Sequence, residues 1–393
     1  MIILFYRYGS ICEEDILNCF KESGHTCVTI EDEITDKSIT GADTLKLVDE
    51  GLSKGSFDCV FTINFYPSIS DLCNVYHIRY ICWIVDSPVL ELFSVSINNP
   101  WNRVFVFDKA LYEDIKDYNP KCIFHYPLAV DTRSKEKAIK EAVNSGSASR
   151  YQSDISFVGS LYTEKDPMSD MRGIPDYTKG YLDGLSEAQL RVYGYYFVQE
   201  QLTNEIIKTF KECKNDYYTM KADNYLTDRV LIGQYYLGNH ITALERERLI
   251  ALIAEKYPID VYTRSNTSKI KAANCRGGCE TLTQMPVIFH ESRININPTS
   301  KAIRTGIPLR VFDIFACEGF MISNYQSELC ELFVPGEDFV YYESIEQVPE
   351  LAGYYLEHGS VRKEIAHNGY EKVRDQYSYM VRLNGLLLKA FEN

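Results

Sequence analysis

The chain has 393 residues and a formal net charge of −14 at pH 7. This length predicts two domains of similar size, and 45% apolar with 24% charged residues is the balance of a globular protein with a substantial core. The acidic total argues against nucleic-acid binding through a basic face, which needs clustered lysine and arginine, but it permits a small basic pocket for phosphate groups.

The twelve cysteines are scattered along the chain, and the apolar run 1–6 is too short for a signal sequence or a membrane span. We therefore expect reduced thiols that pack as small hydrophobic residues. Cys275 and Cys279 lack a second Cys/His pair nearby, so the sequence predicts no metal site. The expected location is the cytoplasm, either free or peripheral at the inner membrane face, with no transmembrane segment.

In the first third of the chain, short apolar runs alternate with helical patterns. The runs are predicted as strands at 1–9, 25–30, 57–65, 79–87, 102–109 and 121–129, with a helix over 13–23. Near-continuous apolar strands separated by helices indicate a parallel sheet covered on both faces. Ligands of such sheets bind beyond the carboxyl ends of the strands, which places 9–10, 64–65, 86–88 and 108–109 around one crevice.

A second alternation follows a charged, then Ser/Gly/Ala-rich stretch at 131–152, which we interpret as the interdomain linker. Strands are predicted at 154–160, 259–265, 292–298, 319–324 and 338–343, and helices near 241–257 and over 360–392. A tyrosine-rich helical insertion at about 165–240 is interpreted as core and interdomain surface in preference to an acceptor platform.

The predicted fold class is therefore α/β, with two tandem doubly wound, Rossmann-like domains that face a cleft. The N-terminal, acceptor-side domain spans 1–130 and the C-terminal, nucleotide-sugar domain spans 153–375. A C-terminal helix at 376–393 is expected to pack back on the first domain.

Several common motifs are absent from the sequence or stand in the wrong context. No Gly-x-Gly-x-x-Gly follows a strand, and there is no Walker A sequence. The Gly-x-Ser-x-Gly match at 51–55 precedes a predicted strand, so it forms no strand-to-helix elbow. No Asp-x-Asp pair occurs either, so metal-clamped phosphate binding through neighbouring aspartates is unsupported. Dinucleotide oxidoreductases, P-loop enzymes and hydrolases thus lose their main support.

The remaining signal is "ININPTSKAIRTGIPLRVFDIFACEGFMISNYQSELCELF", together with "DISFVGSLYTEKDP", "YICWIVDSPV" and "NRVFVFDKALYE". These segments resemble the GT-B glycosyltransferases, most closely the CgeB-like group of spore-maturation and surface-glycan enzymes, which is related to the large retaining glycosyltransferase family 4. In that family a Glu-Gly-x-Pro loop enters a helix, and four residues separate its proline from a second Glu. Thr305 to Pro308 and Asp313 occupy those positions here.

The resemblance implies a nucleoside-diphosphate sugar donor, with UDP as the nucleotide. A turn that enters a helix offers free N–H groups to a diphosphate, and this role falls to Gly306 and Ile307. Arg304 and Arg310 flank the turn and are expected to clamp phosphate oxygens. Asp313 is predicted to hold the ribose hydroxyls; its alternative role is a helix-start charge favoured by the dipole.

The first strand of the second domain should supply another diphosphate contact. The family carries Gly-Arg and then a lysine five residues after the arginine, and here Gly159, Ser160 and Lys165 stand in those positions. Serine therefore replaces one cation. Near the donor sugar, Thr305 replaces the family's first acid, and Gly319 is expected either to approach the sugar or to serve only as a helix C-cap.

Asp86 lies at the end of the predicted strand 79–87 and is the candidate catalytic residue. It would act as general base if the reaction inverts and would otherwise orient sugar hydroxyls; its alternative is a turn aspartate before proline. The predicted function is metal-independent, cofactor-free hexosyl transfer, retaining by resemblance, to a hydroxyl of a glycan or protein. A nucleotide-sugar epimerase and an inactive sugar-nucleotide-binding module are the alternatives.

Overall fold

The computed structural model describes residues 1–171, 173–220 and 223–392, apart from the side chains at 169–170. The predicted insertion includes Arg172, Lys221 and Ala222, and the predicted C-terminal helix ends at Asn393. These four residues lie outside the described ones. None of the helices in the described part of the chain is both long enough and apolar enough to cross a membrane.

The first domain contains a six-stranded parallel sheet in the order β2-β1-β3-β4-β5-β6. Its strands are β1 Ile2–Tyr6, β2 Thr26–Ile30, β3 Cys59–Ile63, β4 Arg79–Ile84, β5 Asn102–Val106 and β6 Ile123–His125. Its helices are α1 Glu13–Glu22, α2 Asp32–Thr35, α3 Gly41–Ser53, α4 Pro67–Tyr76 and α5 Lys109–Ile115.

The second domain contains another six-stranded parallel sheet, in the order β12-β11-β10-β7-β8-β9. Its strands are β7 Ser153–Val158, β8 Ile259–Tyr262, β9 Asn274–Gly277, β10 Ser292–Asn297, β11 Met321–Asn324 and β12 Val340–Tyr342. The helices of this half are α6 Thr132–Asn144, α7 Asp176–Leu190, α8 Val198–Gln201, α9 Asn204–Cys213, α10 Asp228–Val230, α11 Leu237–Ala254, α12 Met285–Glu291, α13 Leu309–Ala316, α14 Ser327–Leu332, α15 Val348–Glu357, α16 Gly359–Gln376 and α17 Tyr379–Phe391.

The predicted α/β class with two doubly wound domains is confirmed. Central strands such as β3 are buried at every position, because helices cover both faces of the sheet, and this is why they read as unbroken apolar runs. The strand β9 was not predicted. All four of its residues are exposed at the edge of the second sheet, so it carries no apolar signal.

The two ends of the second domain are tied to the first. The predicted linker is helical over most of its length, as α6, and packs against α12 and α13. The helix α17 returns to the first sheet: the Tyr126 hydroxyl donates to the carbonyl oxygen of Arg382 at 2.8 Å, and the Tyr379 ring lies edge-on to Trp83. One apolar cluster therefore includes residues of both domains.

The helical insertion between β7 and β8 has its own apolar core and also contacts the first domain. The rings of Tyr118 and Tyr225 stack with their centroids 4.2 Å apart. The backbone N–H of Tyr225 donates to Phe93, and that of Val95 donates to Asp223. The insertion thus joins the two domains on one side of the cleft between them.

Candidate active site

A cavity of about 1080 Å³ lies between the two domains. One wall is formed by residues that follow β1, β3 and β4, including Tyr8, Asn64 and Asp86. The other wall is formed by residues at the ends of β7 and β10, at 157–160 and 296–300, together with the start of α13. The carboxyl ends of two parallel sheets therefore face one another, which is the place where ligands of open α/β sheets bind.

The predicted site residues divide into two groups. Asp86, Gly159, Ser160, Lys165 and Arg310 line this cavity. The other predicted residues do not belong to its lining; they are Arg304, Thr305, Gly306, Ile307, Asp313 and Gly319.

Charge is divided between the two walls. Among the described residues that line the cavity, the carboxylates Glu33, Asp86 and Glu91 belong to the first domain. The cationic residues of the lining belong to the second domain; they are Lys165, Arg246 and Arg310. An anionic ligand is therefore attracted to the second domain and repelled from the first.

Arg246 projects from α11 into the cavity, and its hydrogen bonds go to backbone carbonyls. Its Nη1 donates to Ser160 at 2.6 Å, and its Nη2 and Nε donate to Pro298 at 2.8 and 3.2 Å. Its guanidinium carbon lies 4.7 Å from the centroid of the Tyr162 ring. Burial lowers the pKa of Arg246, and the charge of Arg310 lowers it further. The guanidinium remains charged at neutral pH.

Arg310 is the second residue of α13 and reaches back to the end of β7. Its Nη1 donates to the carbonyl oxygen of Val158 at 2.6 Å, whereas its Nε is buried without a hydrogen-bond partner. Burial lowers the pKa of Arg310. Neither this guanidinium nor that of Arg246 forms an ion pair with any carboxylate of the described residues. Against this effect of burial, Glu245 and Asp313 raise the pKa of Arg246 and Arg310 respectively by their charge, but neither carboxylate forms a direct ion pair with them. Two partly buried guanidiniums without a direct ion pair favour an anionic ligand.

Lys165 completes this positive wall. Its Nζ lies 4.9 Å from the centroid of the Tyr162 ring, so Lys165 and Arg246 both approach this one ring. Ser160 donates to Glu164 at 2.6 Å and accepts from the backbone N–H of Tyr162 at 2.7 Å. The hydroxyl is thus used to shape the loop, and Arg246 brings a guanidinium to this wall from another element.

Asp86 stands on the opposite wall and is held by Asn64. The Asn64 Nδ2 donates to Asp86 Oδ2 at 2.8 Å and to the Tyr8 hydroxyl at 3.1 Å, and its Oδ1 accepts from the backbone N–H of Val85. Asn64 adopts a left-handed backbone with φ of 59°, which asparagine tolerates better than most residues. Burial, together with the charge of Asp86, raises the pKa of Tyr8.

The two other carboxylates of this wall differ in their partners. Glu33 accepts from the hydroxyls of Tyr6 and Tyr66 at 2.7 and 3.3 Å, so hydrogen bonding fixes its orientation. Burial raises the pKa of Glu91, and a titratable group of this kind in a cleft is typical of functional sites. Neither residue could be singled out from the sequence, because each is one of many acidic residues on an acidic chain.

The loop 304–307 contacts the first domain instead of the cavity. The Arg304 guanidinium forms an ion pair with Asp114 of α5, and the backbone N–H of Gly306 donates to Asp108 at 3.2 Å. The Thr305 hydroxyl lies 2.8 Å from Glu328 Oε1, and Ile307 is 3% exposed within the shared apolar cluster. Domain docking therefore occupies the groups that the sequence assigns to a diphosphate and a donor sugar.

Asp313 faces away from the cavity, toward α6. It is 7% exposed, and its Oδ1 lies 4.0 Å from Lys135 Nζ, which also donates to Asp15 at 3.1 Å. Its Oδ2 has no hydrogen-bond partner. The carboxylate belongs to a buried charge cluster where α1, α6 and α13 meet. It therefore does not face the cavity in which its predicted ribose ligand would bind.

We expect Lys135→Met to destabilise the protein strongly, because it leaves the buried carboxylates of Asp15 and Asp313 without a cation. Loss of one partner from a buried ion pair costs about 3–5 kcal/mol in free energy of unfolding. Urea unfolding of the variant and the wild type measures this difference in free energy of unfolding. Lys137→Met on the same helix is the control, since that side chain is 77% exposed, and it should change stability by less than about 0.5 kcal/mol. Equal stability of the two variants would contradict a structural role for the cluster.

Gly319 closes the C-terminus of α13. Its N–H donates to the carbonyl of Ile314, and the N–H of Glu318 donates to Phe315, with Glu318 in the left-handed conformation at φ of 54°. This is the Schellman arrangement of helix ends. A Cβ on Gly319 would lie 2.9–3.0 Å from Asn295, Ile314 and Phe289. The geometry matches the helix-end alternative of the sequence prediction.

Sequence reasoning missed Arg246. It lies in "ALERERLIALI" on α11, where four consecutive charges of alternating sign resemble the solvated part of a surface helix. Its neighbour Arg248 does face solvent and pairs with Glu187. Only the docking of α11 against the ends of β7 and β10 distinguishes the two arginines. Among the described residues, no group of three or more His, Cys, Asp or Glu side chains is arranged to hold a metal ion.

One family model matches part of the second half of the chain. Residues 246–387 match the family model described as "Glycosyl transferase-like", a segment that begins at Arg246 and includes Arg310. No curated protein matches the sequence. The chain therefore has a glycosyltransferase-like region in its second half.

The whole chain is similar in structure to several solved glycosyltransferase-fold proteins. It is similar to HepE from Anabaena in complex with UDP and glucose, with a TM-score of 0.55, 8% identity and coverage of 100% of both chains. Sucrose-phosphate synthase from Thermosynechococcus elongatus gives a TM-score of 0.54 at 9% identity, covering 100% of this chain and 99% of that one. These similarities show that the chain has the GT-B fold. The CgeB-like and family 4 relationships remain predictions.

Proposed function

We propose that the protein transfers a hexosyl group from a UDP-sugar to an acceptor hydroxyl on a glycan or protein. The observation that carries this proposal is the pair of guanidiniums, Arg246 and Arg310, which line an interdomain cavity without carboxylate partners among the described residues. A diphosphate supplies the negative charge that they lack. The proposal is also supported by the fold, since HepE, which shares it, has been solved with UDP and glucose.

In the proposed reaction the bond between the anomeric carbon and the diphosphate oxygen breaks, and its electron pair leaves with the UDP. Negative charge therefore grows on the diphosphate, where Arg246, Arg310 and Lys165 are placed to stabilise it. These cations, together with the N–H groups at the start of α13, are proposed to act in place of a metal ion. Gly159 and Ser160 shape the loop beneath the diphosphate.

On the opposite wall, Asp86 is proposed to contact the acceptor hydroxyl. If the reaction inverts the anomeric configuration, Asp86 accepts the hydroxyl proton as general base. If it retains the configuration, as the resemblance to family 4 favours, Asp86 orients the reacting hydroxyl. The anomer of the product, determined by proton NMR, distinguishes these two roles.

A thermal-shift screen of UDP-sugars followed by a transfer assay tests the proposal. A ligand that binds only the folded protein raises its apparent stability, so UDP should raise the melting temperature, and a UDP-hexose should release UDP in the presence of EDTA. Conversion of the donor to an isomeric UDP-sugar without UDP release would instead indicate an epimerase. UDP binding without either reaction would indicate an inactive binding module, and absence of UDP binding would refute the proposed donor.

A further inference from the structure

Asp108 lies at the interface of the two domains and is fully buried, at 0% exposure. Its carboxylate accepts hydrogen bonds from three successive backbone N–H groups of the other domain. Arg304 donates to Oδ2 at 3.1 Å, while Thr305 and Gly306 donate to Oδ1 at 3.1 and 3.2 Å. Successive N–H groups that converge in this way form an anion-binding nest, and in this protein the anion is a side chain of the protein itself.

The close approach depends on Gly306. A Cβ on this residue would lie 2.7 Å from the Asp108 Cα and 2.9 Å from the Phe107 ring, distances that no side chain can adopt without displacing the backbone. The Thr305 hydroxyl also lies 2.9 Å from Asp108 Oδ1. The sequence Thr305-Gly306 is thus shaped for the carboxylate of Asp108.

The same carboxylate contacts the loop that carries the candidate catalytic residue. The Ser87 hydroxyl donates to Asp108 Oδ2 at 2.8 Å, and Ser87 is adjacent to Asp86. On the other side, Gly306 is four residues before Arg310, with the buried Ile307 and the first residue of α13 between them. One side chain therefore connects the positive wall of the cavity with Asp86.

A simpler role as N-cap of α5 does not account for these contacts. The cap requires only the bond from the backbone N–H of Ala110, which is present at 3.3 Å. The bonds that Asp108 accepts from 304–306 and from Ser87 come from other segments, and the Thr305 hydroxyl in turn accepts from the Ala110 N–H at 3.0 Å. These bonds fix the position of the loop at Ser87, which lines the cavity, and of the loop 304–306, which leads into α13.

We propose that Asp108 is a positioning residue that holds the donor-binding start of α13 and the Asp86 loop in one arrangement. The expected effect of Asp108 on donor binding and sugar transfer rests on the proposed function. Asp108 itself does not line the cavity, so it acts through Arg310 and Asp86 and touches neither substrate.

The main test compares Asp108→Asn with the wild type. The amide places an NH₂ group against the N–H donors of the nest and removes the charge that they bind, so the loop 304–306 should move. We expect the variant to fold and to bind UDP about tenfold more weakly or worse in calorimetry, the scale of a lost charged hydrogen bond. Unchanged UDP affinity in a folded variant would overturn the proposal.

The matched control is Lys109→Ala, on the next residue of the same interface. Its ammonium pairs with Glu331 at 3.5 Å, and both side chains are about half exposed; a rim pair of this kind contributes little. The control should bind UDP with an affinity within about twofold of the wild type. An effect as large as that of Asp108→Asn would show that any change at the interface weakens binding, and would overturn the specific role of the carboxylate.

Ser87→Ala tests the hydrogen bond between Ser87 and Asp108, and it tests the positioning role of Asp108 if Asp108→Asn does not fold. It removes only the bond to the Asp86 loop, so UDP affinity should stay unchanged while kcat falls by about threefold or more, because displaced catalytic groups lose rate without losing donor binding. A merely structural role would lower the folded fraction and leave kcat per folded molecule unchanged; that outcome would overturn the connection to Asp86.

Amide hydrogen exchange provides a readout that does not depend on the proposed function. In the wild type the amides of 304–306 should be protected by the Asp108 carboxylate, and in Asp108→Asn they should exchange about tenfold faster or more. If the wild type does not bind UDP but this difference is found, the proposed function fails while the positioning role stands. Equal exchange in both proteins would overturn the positioning role.

Discussion

Asp86→Asn should lower the rate of sugar transfer by about 10²-fold or more without a change in UDP affinity. This is the scale of general acid–base catalysis if the reaction inverts and of a misplaced acceptor hydroxyl if it retains the configuration. The amide keeps the shape of the side chain and its contact with Asn64, but it cannot accept a proton and carries no charge toward the acceptor hydroxyl. Steady-state rates with a UDP-hexose and calorimetry with UDP measure the two quantities separately.

The control for this change is Asp49→Asn in the same domain. Asp49 lies on α3, is half-buried and does not line the cavity, and it accepts from the hydroxyl of Tyr76 on α4 at 2.6 Å. Its substitution should leave both the rate and UDP affinity as in the wild type. A transfer rate of Asp86→Asn within a fewfold of the wild type would exclude Asp86 from the reaction and direct attention to Glu91.

Arg246→Ala and Arg310→Ala should each weaken UDP binding by about 1.5–3 kcal/mol, the usual range for hydrogen bonds to charged groups, which is roughly 10- to 150-fold in Kd. Each variant removes one of the two guanidiniums that lack carboxylate partners among the described residues. Because both are proposed to contact one diphosphate, the double variant should show an interaction energy between the two sites. Calorimetric titration with UDP measures the Kd of the two single variants and of the double variant.

Arg248→Ala is the matched control, two residues from Arg246 on α11. Its guanidinium is paired with Glu187 outside the cavity, so its removal should leave the Kd for UDP within about twofold. If Arg246→Ala and Arg310→Ala bound UDP as tightly as this control, the assignment of the diphosphate to the positive wall would fail.

The fold class could be read from the sequence because its signals are local. A strand such as β3, buried on both faces, must be apolar at every position, and a helix that covers it must repeat its apolar residues every three to four positions. The strand ends then indicate the crevice, and Asp86, Gly159, Lys165 and Arg310 all line it. The edge strand β9 was not predicted, because all four of its residues are exposed and the sequence therefore shows no apolar pattern there.

The direction of individual side chains could not be read in this way. Arg310 and Asp313 lie one turn apart on α13, yet Arg310 enters the cavity while Asp313 joins Lys135 and Asp15. Their spacing predicts a shared face, but the packing of α6 against α13 decides which neighbour each meets. The same holds for Arg246 and Arg248, which differ only in how α11 docks.

Hydrophobic periodicity and turn residues act over a few positions. They are therefore enough to predict the two α/β domains, the order of their elements and the crevice at the strand ends. Which charges face that crevice depends on tertiary packing. It brought Asp108 of one domain into the backbone nest at 304–306 of the other and left Arg246 and Arg310 without carboxylate partners among the described residues. These outcomes depend on how two domains dock, and residues so distant in sequence leave no local pattern of that docking.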